Sequence, residues 1–514
     1  MKLTHNASSA LATSLGNALA QCATSDTAFY FKDREYRWQD VSNTISILDQ
    51  LLRKQPLGDS PRVAFIARSR PMHISCLWGL LISDRCASMI HCYQSTAKII
   101  NDIRKEGYRA LIADQQDWNE DLLAAVQDMG CLGIAITEHS VELLHCPEQD
   151  AAKPADVKGS KAPQDDFATA IETLSSGTTG APKRIQLSRR NLAASTEAAK
   201  QALTQMNASA SQPAPIISVL PLSNISGVYA STPALAMGMP MAILEKFQLD
   251  DWLAIVQRFK PVAADIPPAA MAALRQPQLP KEVFSSIKVI RTGAAPLDRE
   301  VQAYFQNELG IPVNLSYGAS EFCGVITSWS MAELAEYSAS KMGSCGRALP
   351  GVELRISDPD TGTVLAANAV GRLEAKVNRV GPDWIATSDQ ARIDEDGFMW
   401  FEGRLEETIF RGGFKLSPLL IAEQFRRHPA LADAAVIGVD EPRLGQIPVA
   451  VLVLKAGHSQ PDNDELNRFA RDHLSAPEIP SAYYFVDELP RTASYKISLL
   501  ELKNLISELH KTPK

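Results

Sequence analysis

The string Thr173-Leu-Ser-Ser-Gly-Thr-Thr-Gly-Ala-Pro-Lys183 gathers more phosphate-binding chemistry than any other stretch of the chain. Gly177 and Gly180 let a ligand approach the backbone amides. Ser175, Ser176, Thr178 and Thr179 bring hydroxyl donors, and the Lys183 ammonium neutralises charge. The string follows the apolar run Phe167 to Ile171 and precedes a helical pattern that starts near Asn191. It is not a Walker A loop, because its glycines stand too close together and Lys183 does not follow the second of them. A Ser/Gly/Thr-rich surface turn is the plainer reading of the same composition. The eight cysteines offer no rival chemistry. They lie singly at positions 22, 76, 86, 92, 131, 146, 323 and 345, with no CxxC pair, and His145-Cys146 has no partner at zinc-finger spacing. They read as reduced core thiols.

Elements that could position the loop surround it. Arg62–Ala67, Ala87–His91 and Ala110–Ala113 read as short buried strands, with a helical stretch from Met72 to Ile82 between the first two. This alternation predicts βαβ units and a sheet covered by helices. Cys146 to Asp166 turns polar, with Pro147, Pro154 and Pro163, and reads as an exposed linker. Strands are expected again at Ile216–Leu220, Pro261–Asp265 and Lys288–Ile290. After about Gly343 come short strands parted by turns: Val352–Ile356, Gly371–Val377, and Phe398–Phe401 behind the Asp396-Gly397 turn. From Gly403 strands and amphipathic helices alternate once more.

A chain of 514 residues exceeds what one core usually serves, so at least two domains are expected. Hydrophobic content of 45% and charged content of 21% are ordinary for a globular protein. The formal net charge of −8, from 51 basic and 59 acidic residues, argues against general nucleic-acid or anionic-membrane binding. Near the N-terminus, Ala18-Leu-Ala20 looks like a cleavage site, but Ser8, Ser9, Thr13, Ser14 and Asn17 interrupt the apolar core a signal peptide needs. Leu11, Leu15 and Leu19 recur instead as one face of a helix. No stretch reaches a membrane span, and a soluble, cytoplasmic protein is expected.

The phosphate loop resembles the signature of the adenylate-forming (ANL) superfamily, within it the acyl-CoA synthetases or AMP-dependent ligases, and further motifs follow in that family's order. Pro221-Leu-Ser-Asn-Ile-Ser-Gly227 is similar to the substrate-pocket segment, with Asn224 where an aromatic residue or histidine is usual. Gly293-Ala-Ala-Pro-Leu297 resembles Gly-Gly-Ala-Pro-Leu, which lines the adenine and acyl pockets. Tyr317-Gly318-Ala-Ser320-Glu321 matches Tyr-Gly-x-Thr/Ser-Glu: an aromatic face for adenine, a hydroxyl for phosphate, and a carboxylate for Mg²⁺. Asp389 falls where Thr-Gly-Asp holds the ribose hydroxyls, and Arg404, in Gly403-Arg-Leu-Glu-Glu-Thr-Ile409, contacts the nucleotide beside the hinge position Glu406. Gly412-Gly413 looks like the loop that makes room for a pantetheine arm. Leu489-Pro-Arg-Thr-Ala-Ser-Tyr-Lys496 resembles the terminal Leu-Pro-x-Thr-x-x-Gly-Lys with its catalytic lysine.

What the resemblance implies is an α/β protein. Residues 1–402 form a large AMP-binding domain of two helix-covered sheet subdomains plus a small β-barrel-like one, and 403–514 form a small mobile α+β domain. Lys496 and Lys183 are the implied catalytic residues. Ser175 to Gly180, Gly293, Ala294, Tyr317, Gly318, Ser320, Asp389 and Arg404 hold ATP and AMP, and Glu321 holds the metal. Asn224, Ile225, Ala295 and Val325 line the acyl pocket. The implied activity is formation of acyl-AMP from a carboxylic acid and ATP, then transfer to coenzyme A. The segment Pro221–Gly227 has no acid to meet an α-amino group, so an aryl or medium-chain acid is expected. An acyl carrier protein is the alternative acceptor. A luciferase-like oxygenase and a non-catalytic homologue are the competing classes, the latter favoured by the departures at Asn224, Phe410, Ala422 and Tyr495.

Overall fold

The computed structural model describes residues 9–54, 62–147, 166–174, 184–207, 214–276, 279–491 and 496–511. These fall into two compact units. One holds the described residues of Met1–Ser176, Pro182–Ile290 and Gly318–Gly324; the other holds those of Arg291–Tyr317 and Val325–Lys514.

The first unit contains a seven-stranded sheet in the order Val141–His145, Leu132–Ile136, Ala110–Asp114, Arg62–Ala67, Cys86–His91, Thr169–Leu174, Arg184–Ser188. The five inner strands run parallel and the two outer ones antiparallel to their neighbours. The inner strands are nearly continuous apolar runs because helices cover both faces. Helix Pro71–Ile82 shows the same logic: proline starts it at the first turn, and every one of its residues is buried, as a mostly apolar helix allows once its few polar side chains, His73 and Ser75, find partners. The N-terminal helix Ala10–Gln21 buries Leu11, Leu15 and Leu19 as expected, and Ser9 caps it by accepting from the Ala12 N–H. Chain order reverses between Arg62–Ala67 and Ala110–Asp114, so the carboxyl ends of those two strands form a topological switch point.

A second sheet in this unit runs Ile216–Ser218, Met241–Ile243, Thr27–Phe31, Arg34–Arg37. The first of these strands was expected to reach Leu220. It stops at Ser218, and the Leu220 carbonyl accepts from Ser69 Oγ at 3.2 Å instead. The expected strand Pro261–Asp265 begins only at Ala263, beyond a proline that has no N–H to give a ladder. The tract from Cys146 to Asp166 lies almost wholly outside the described residues.

In the second unit, Val352–Ser357, Gly371–Val377, Trp384–Ile393 and Met399–Arg404 form an antiparallel sheet in chain order. The C-terminal part builds a sheet around Leu431–Glu441 and Gly445–Leu454. Alternate residues of the first of these strands serve two cores. Ala434 and Val436 pack with Ile421 and Phe425 of helix Pro418–Arg426 and Leu466 of helix Asn463–His473. Ala435 and Ile437 pack with Leu502 and Ile506 of helix Leu499–Lys511. The period of two along the strand therefore seats helices on both faces of the small sheet. Among the described residues, no helix is long and apolar enough to cross a membrane.

Candidate active site

Three of the expected nucleotide residues meet in the second unit. Strand Trp384–Ile393 turns back through Asp394–Gly397 into Met399–Arg404, and the register pairs Asp389 directly with Arg404. Side chains opposite each other on one face lie within reach, and the Arg404 Nε stands 2.7 Å from Asp389 Oδ1. The phenol of Tyr317, which is buried, donates to Asp389 Oδ2, and its ring stacks on Phe401 with centroids 6.3 Å apart. Thr387 Oγ1 accepts from the Asp389 N–H at 3.0 Å and holds the bend. Asp389 is only 4% exposed, yet no donor is aligned on its Oδ1 among the described residues; Arg404 reaches that oxygen by charge, not by a directed hydrogen bond. A buried carboxylate oxygen with no aligned donor is rare and has acceptor capacity to spare.

Gly293 ends strand Val289–Gly293 beside Tyr317's strand. A Cβ there would stand 2.7 Å from the Ser316 carbonyl oxygen, so only glycine fits. The next residue, Ala294, sits at φ +65°, a left-handed conformation that disfavours any Cβ. This is where the resembling motif carries its second glycine. Ala294 is exposed and Ala295 half-buried.

The turn Leu405–Glu407 follows Arg404, with Glu406 exposed at the expected hinge. Glu407, which sequence reasoning passed over, has its carboxyl pushed up, first by burial; Asp389 and Glu406 add to the rise while Arg404 and Lys496 oppose it. Lys496 is half-buried and therefore shares the electrostatic field of Glu407, Arg404 and Asp389. Gly412 and Gly413 form the exposed tip of the hairpin Ile409–Arg411 to Phe414–Leu416, both with positive φ. Phe410, in place of a usual lysine, is 52% exposed, whereas Ala422 is buried in the core, where a carboxylate would be unsolvated. Val325 is 42% exposed, and its carbonyl accepts from Arg379 at 2.8 Å.

The first unit holds those of the remaining expected residues that the structure describes. The segment Pro221–Gly227 is fastened at two points: Ser69 Oγ accepts from the Leu222 N–H at 3.0 Å, and Ser223 Oγ lies 2.8 Å from His91 Nδ1. Burial pushes the His91 pKa down, and Lys98 adds to this, so the ring is neutral. A Cβ at Gly227 would stand 2.3 Å from the Pro221 carbonyl oxygen, which makes the glycine obligatory for this turn. Asn224 precedes helix Ile225–Met237 without capping it through its side chain, and Asn224 and Ile225 are half-buried. Ser320 and Glu321 stand in the short turn Ser320–Phe322 that follows Gly318, with Glu321 exposed. No group of three or more His, Cys, Asp or Glu gathers as a metal site among the described residues. One exposed carboxylate suits Mg²⁺, which binds through one or two carboxylates together with substrate phosphates.

Ser175, Ser176, Gly177, Thr178, Thr179, Gly180 and Lys183 lie outside the described residues, as does Tyr495. The residues that border the first stretch are described: Leu174 pairs with Arg184 across antiparallel strands. His91, Ser69 and Glu407 were not singled out from sequence. His91 and Ser69 act through partners far away in the chain, and none of the three carries a local signature.

The family profile described as AMP-binding enzyme matches residues 17–380, and that of the AMP-binding enzyme C-terminal domain matches 421–496. The chain is 30% identical over 356 residues to 4-coumarate–CoA ligase 1 of Oryza sativa subsp. japonica; the match covers 65% of this chain and 62% of that protein's length. It is 26% identical over 497 residues to 2-succinylbenzoate–CoA ligase of Bacillus pumilus, covering 93% and 94%. Among solved structures, ATP-bound MatB from Rhodopseudomonas palustris superposes with a TM-score of 0.81 at 22% identity, covering 97% of this chain and 100% of that one. The o-succinylbenzoate CoA synthetase of Bacillus subtilis, in complex with its acyl-adenylate intermediate, gives 0.77 at 23% identity, covering 95% and 97%.

Proposed function

We propose that this chain, which belongs to the AMP-binding enzyme family, activates a carboxylic acid with ATP as acyl-AMP and passes the acyl group to the thiol of coenzyme A. The observation that carries the reading is the buried Asp389, fixed by Tyr317 and Arg404 and with acceptor capacity left for ribose hydroxyls. The relatives named as CoA ligases support the same chemistry.

A carboxylate is a poor electrophile because it repels nucleophiles and lacks a leaving group. In the first step a carboxylate oxygen of the acid attacks the α-phosphorus of ATP, a P–O bond to the β-phosphate breaks, and pyrophosphate leaves. Residues 175–180 and Lys183 hold the departing phosphates. Lys496 lies beside the carboxylate and α-phosphate as charge builds, where a fixed cation is worth most. Asp389 and Arg404 orient the nucleoside, and Gly293 and Ala294 let adenine lie against backbone. Glu321 would hold Mg²⁺, which when bound would spread the phosphate charge.

In the second step the thiol sulfur attacks the acyl carbon, the C–O bond to AMP breaks, AMP leaves and the thiol proton is released. The residues from Gly403 onward turn about Glu406 between the two steps, exchanging Lys496 for the Gly412-Gly413 tip. We place the domain boundary there, between residues 402 and 403, and the protein in the cytoplasm. The acid we expect is aryl or medium-chain, since the segment Pro221–Gly227 has no acid to meet an α-amino group.

The test is pyrophosphate release with ATP and Mg²⁺ across aryl, short, medium and long-chain acids, with and without coenzyme A. Acyl-CoA from one acid class supports the reading, and a stall at acyl-AMP points to a carrier-protein thiol. Lys496→Ala is expected to lower acid-dependent pyrophosphate release by about 10²- to 10³-fold while preformed acyl-AMP is still consumed. Unchanged release would remove Lys496 from the role.

A further inference from the structure

The strands Thr169–Leu174 and Arg184–Ser188 flank residues 175–183 and are joined to the rest of the sheet by charges that a half-buried β-ladder does not need. Glu172 is 2% exposed, in the middle of the first strand. Its Oε2 accepts from Ser88 Oγ at 2.7 Å and from Arg62 Nη2 at 2.8 Å, and its Oε1 accepts from Gln186 Nε2, on the second strand, at 3.2 Å. Arg62 reaches on to Glu106 at 2.8 Å. Arg184, the first described residue after Lys183, pairs with Asp102 and lies 3.5 Å from Glu106. The ring of Tyr108 packs against both guanidinium groups, 4.9 Å from that of Arg62 and 5.6 Å from that of Arg184. Asp102 and Glu106 both belong to helix Thr96–Glu106.

The arrangement is costly to build. Glu172 and the inner part of Arg184 are taken out of water, and such ions return their desolvation cost only where geometry and partners are good. A plain hairpin could be held by apolar cross-strand pairs at no such expense. What the ions add is direction: charge-assisted and shared carboxylate bonds carry a geometric specificity that apolar contacts lack.

We infer that Glu172 and Arg184 are positioning residues for ATP: anchored to Arg62, Ser88 and helix Thr96–Glu106, they set the separation and register of the two strand ends from which the phosphate-binding residues depart. This rests on the reading of residues 175–183 as the phosphate loop. Neither side chain touches substrate in this scheme; each acts through the strand that carries it. Small displacements of positioning elements cost large factors in rate.

The experiment compares the unaltered full chain with Arg184→Lys, Arg184→Ala and Glu172→Gln. MgATP binding is measured at equilibrium, the KM values for MgATP and for the acid in pyrophosphate release, and the melting temperature. The expected result for Arg184→Ala and Glu172→Gln is weakening of MgATP binding and a rise of its KM by about tenfold, with the acid KM changed less than about twofold. Arg184→Lys, which keeps the charge facing Asp102, recovers part of the loss. A fall in melting temperature with MgATP affinity unchanged assigns the network to stability alone and overturns the inference. A matched loss for ATP and acid overturns it also. If the unaltered chain binds no MgATP, the reading of the loop itself fails, and that outcome is seen before any variant is compared.

Discussion

Two clusters of carboxylate and guanidinium groups, one in each unit, differ in how completely they satisfy themselves. At the switch point of the seven-stranded sheet, Arg70 binds Asp114 at 2.8 Å and Glu245 at 2.9 Å, and Arg68 pairs with Asp117. His73, 1% exposed, completes the set with both ring nitrogens engaged: Nδ1 accepts from the Arg68 N–H at 3.2 Å and Nε2 lies 3.0 Å from Asp114. Those two bonds call for the neutral Nε2–H tautomer, which agrees with burial pushing the histidine pKa down. Burial alone would raise Asp114, but the bonds from His73 and the Gln116 N–H, with the Arg70 charge, outweigh it and bring the carboxyl to about 2. The Asp389 cluster uses the same groups and leaves one oxygen without an aligned donor among the described residues. The location where α/β sheets usually take ligands is thus closed by its own ions, and the open valence lies on an antiparallel hairpin. Unspent hydrogen-bonding capacity, more than charge density, separates a site from a strut.

The comparison can be broken most forcefully at Asp114. Asp114→Ala leaves Arg70 and His73 without their shared partner, and loss of one member of a buried pair is expected to cost about 3 kcal/mol of stability by denaturant titration. Activity per folded molecule should hold. Because the carboxyl lies below its ordinary 3.8, its contribution is complete above that pH and is lost as pH falls towards 2. The stability curves of parent and variant should therefore converge in acid. Curves that stay parallel would remove the charge argument.

Asp389→Asn should show the reverse pattern. It keeps the shape and loses the charge, and kcat/KM for MgATP should fall by about tenfold or more while the melting temperature moves little. A variant equally active and markedly less stable would make Asp389 a strut like Asp114. The smallest effect is expected at Ala294. Glycine relieves the left-handed strain there, a gain of about 1 kcal/mol offset in part by the freer unfolded chain. A net loss on calorimetry would show that its Cβ contributes packing that outweighs the strain.

Much of this architecture was legible in the residues. The strands Arg62–Ala67 and Gly371–Val377 begin and end where the apolar pattern places them, because each is a short run of one period. Asp389 and Arg404 were read as separate motifs, and the Asp396-Gly397 turn between them supplies the register that joins them. The switch-point network was not legible. Arg70, Asp114 and Glu245 stand in three separate parts of the chain, a helix N-cap, a strand end and a segment after a strand, and each alone looks like a solvated surface charge. The Glu172 network was hidden for the same reason, although a glutamate inside an apolar strand run is itself an anomaly that asks for a partner.

The hairpin that carries Asp389 also constrains how this chain can drift over generations. Glu402 is the extra residue of a bulge between the pairs Gln390–Gly403 and Ala391–Phe401; its side chain holds Arg392 at 2.8 Å and its carbonyl holds Ser417 Oγ at 3.0 Å. The turn itself is gripped from outside by Lys341, at 2.6 Å from Asp394 and 2.7 Å from Asp396. A residue gained or lost within either strand between positions 389 and 404 would shift its register and send Asp389 and Arg404 to opposite faces. The length of this stretch, as well as its residue types, therefore sets whether Asp389 and Arg404 meet.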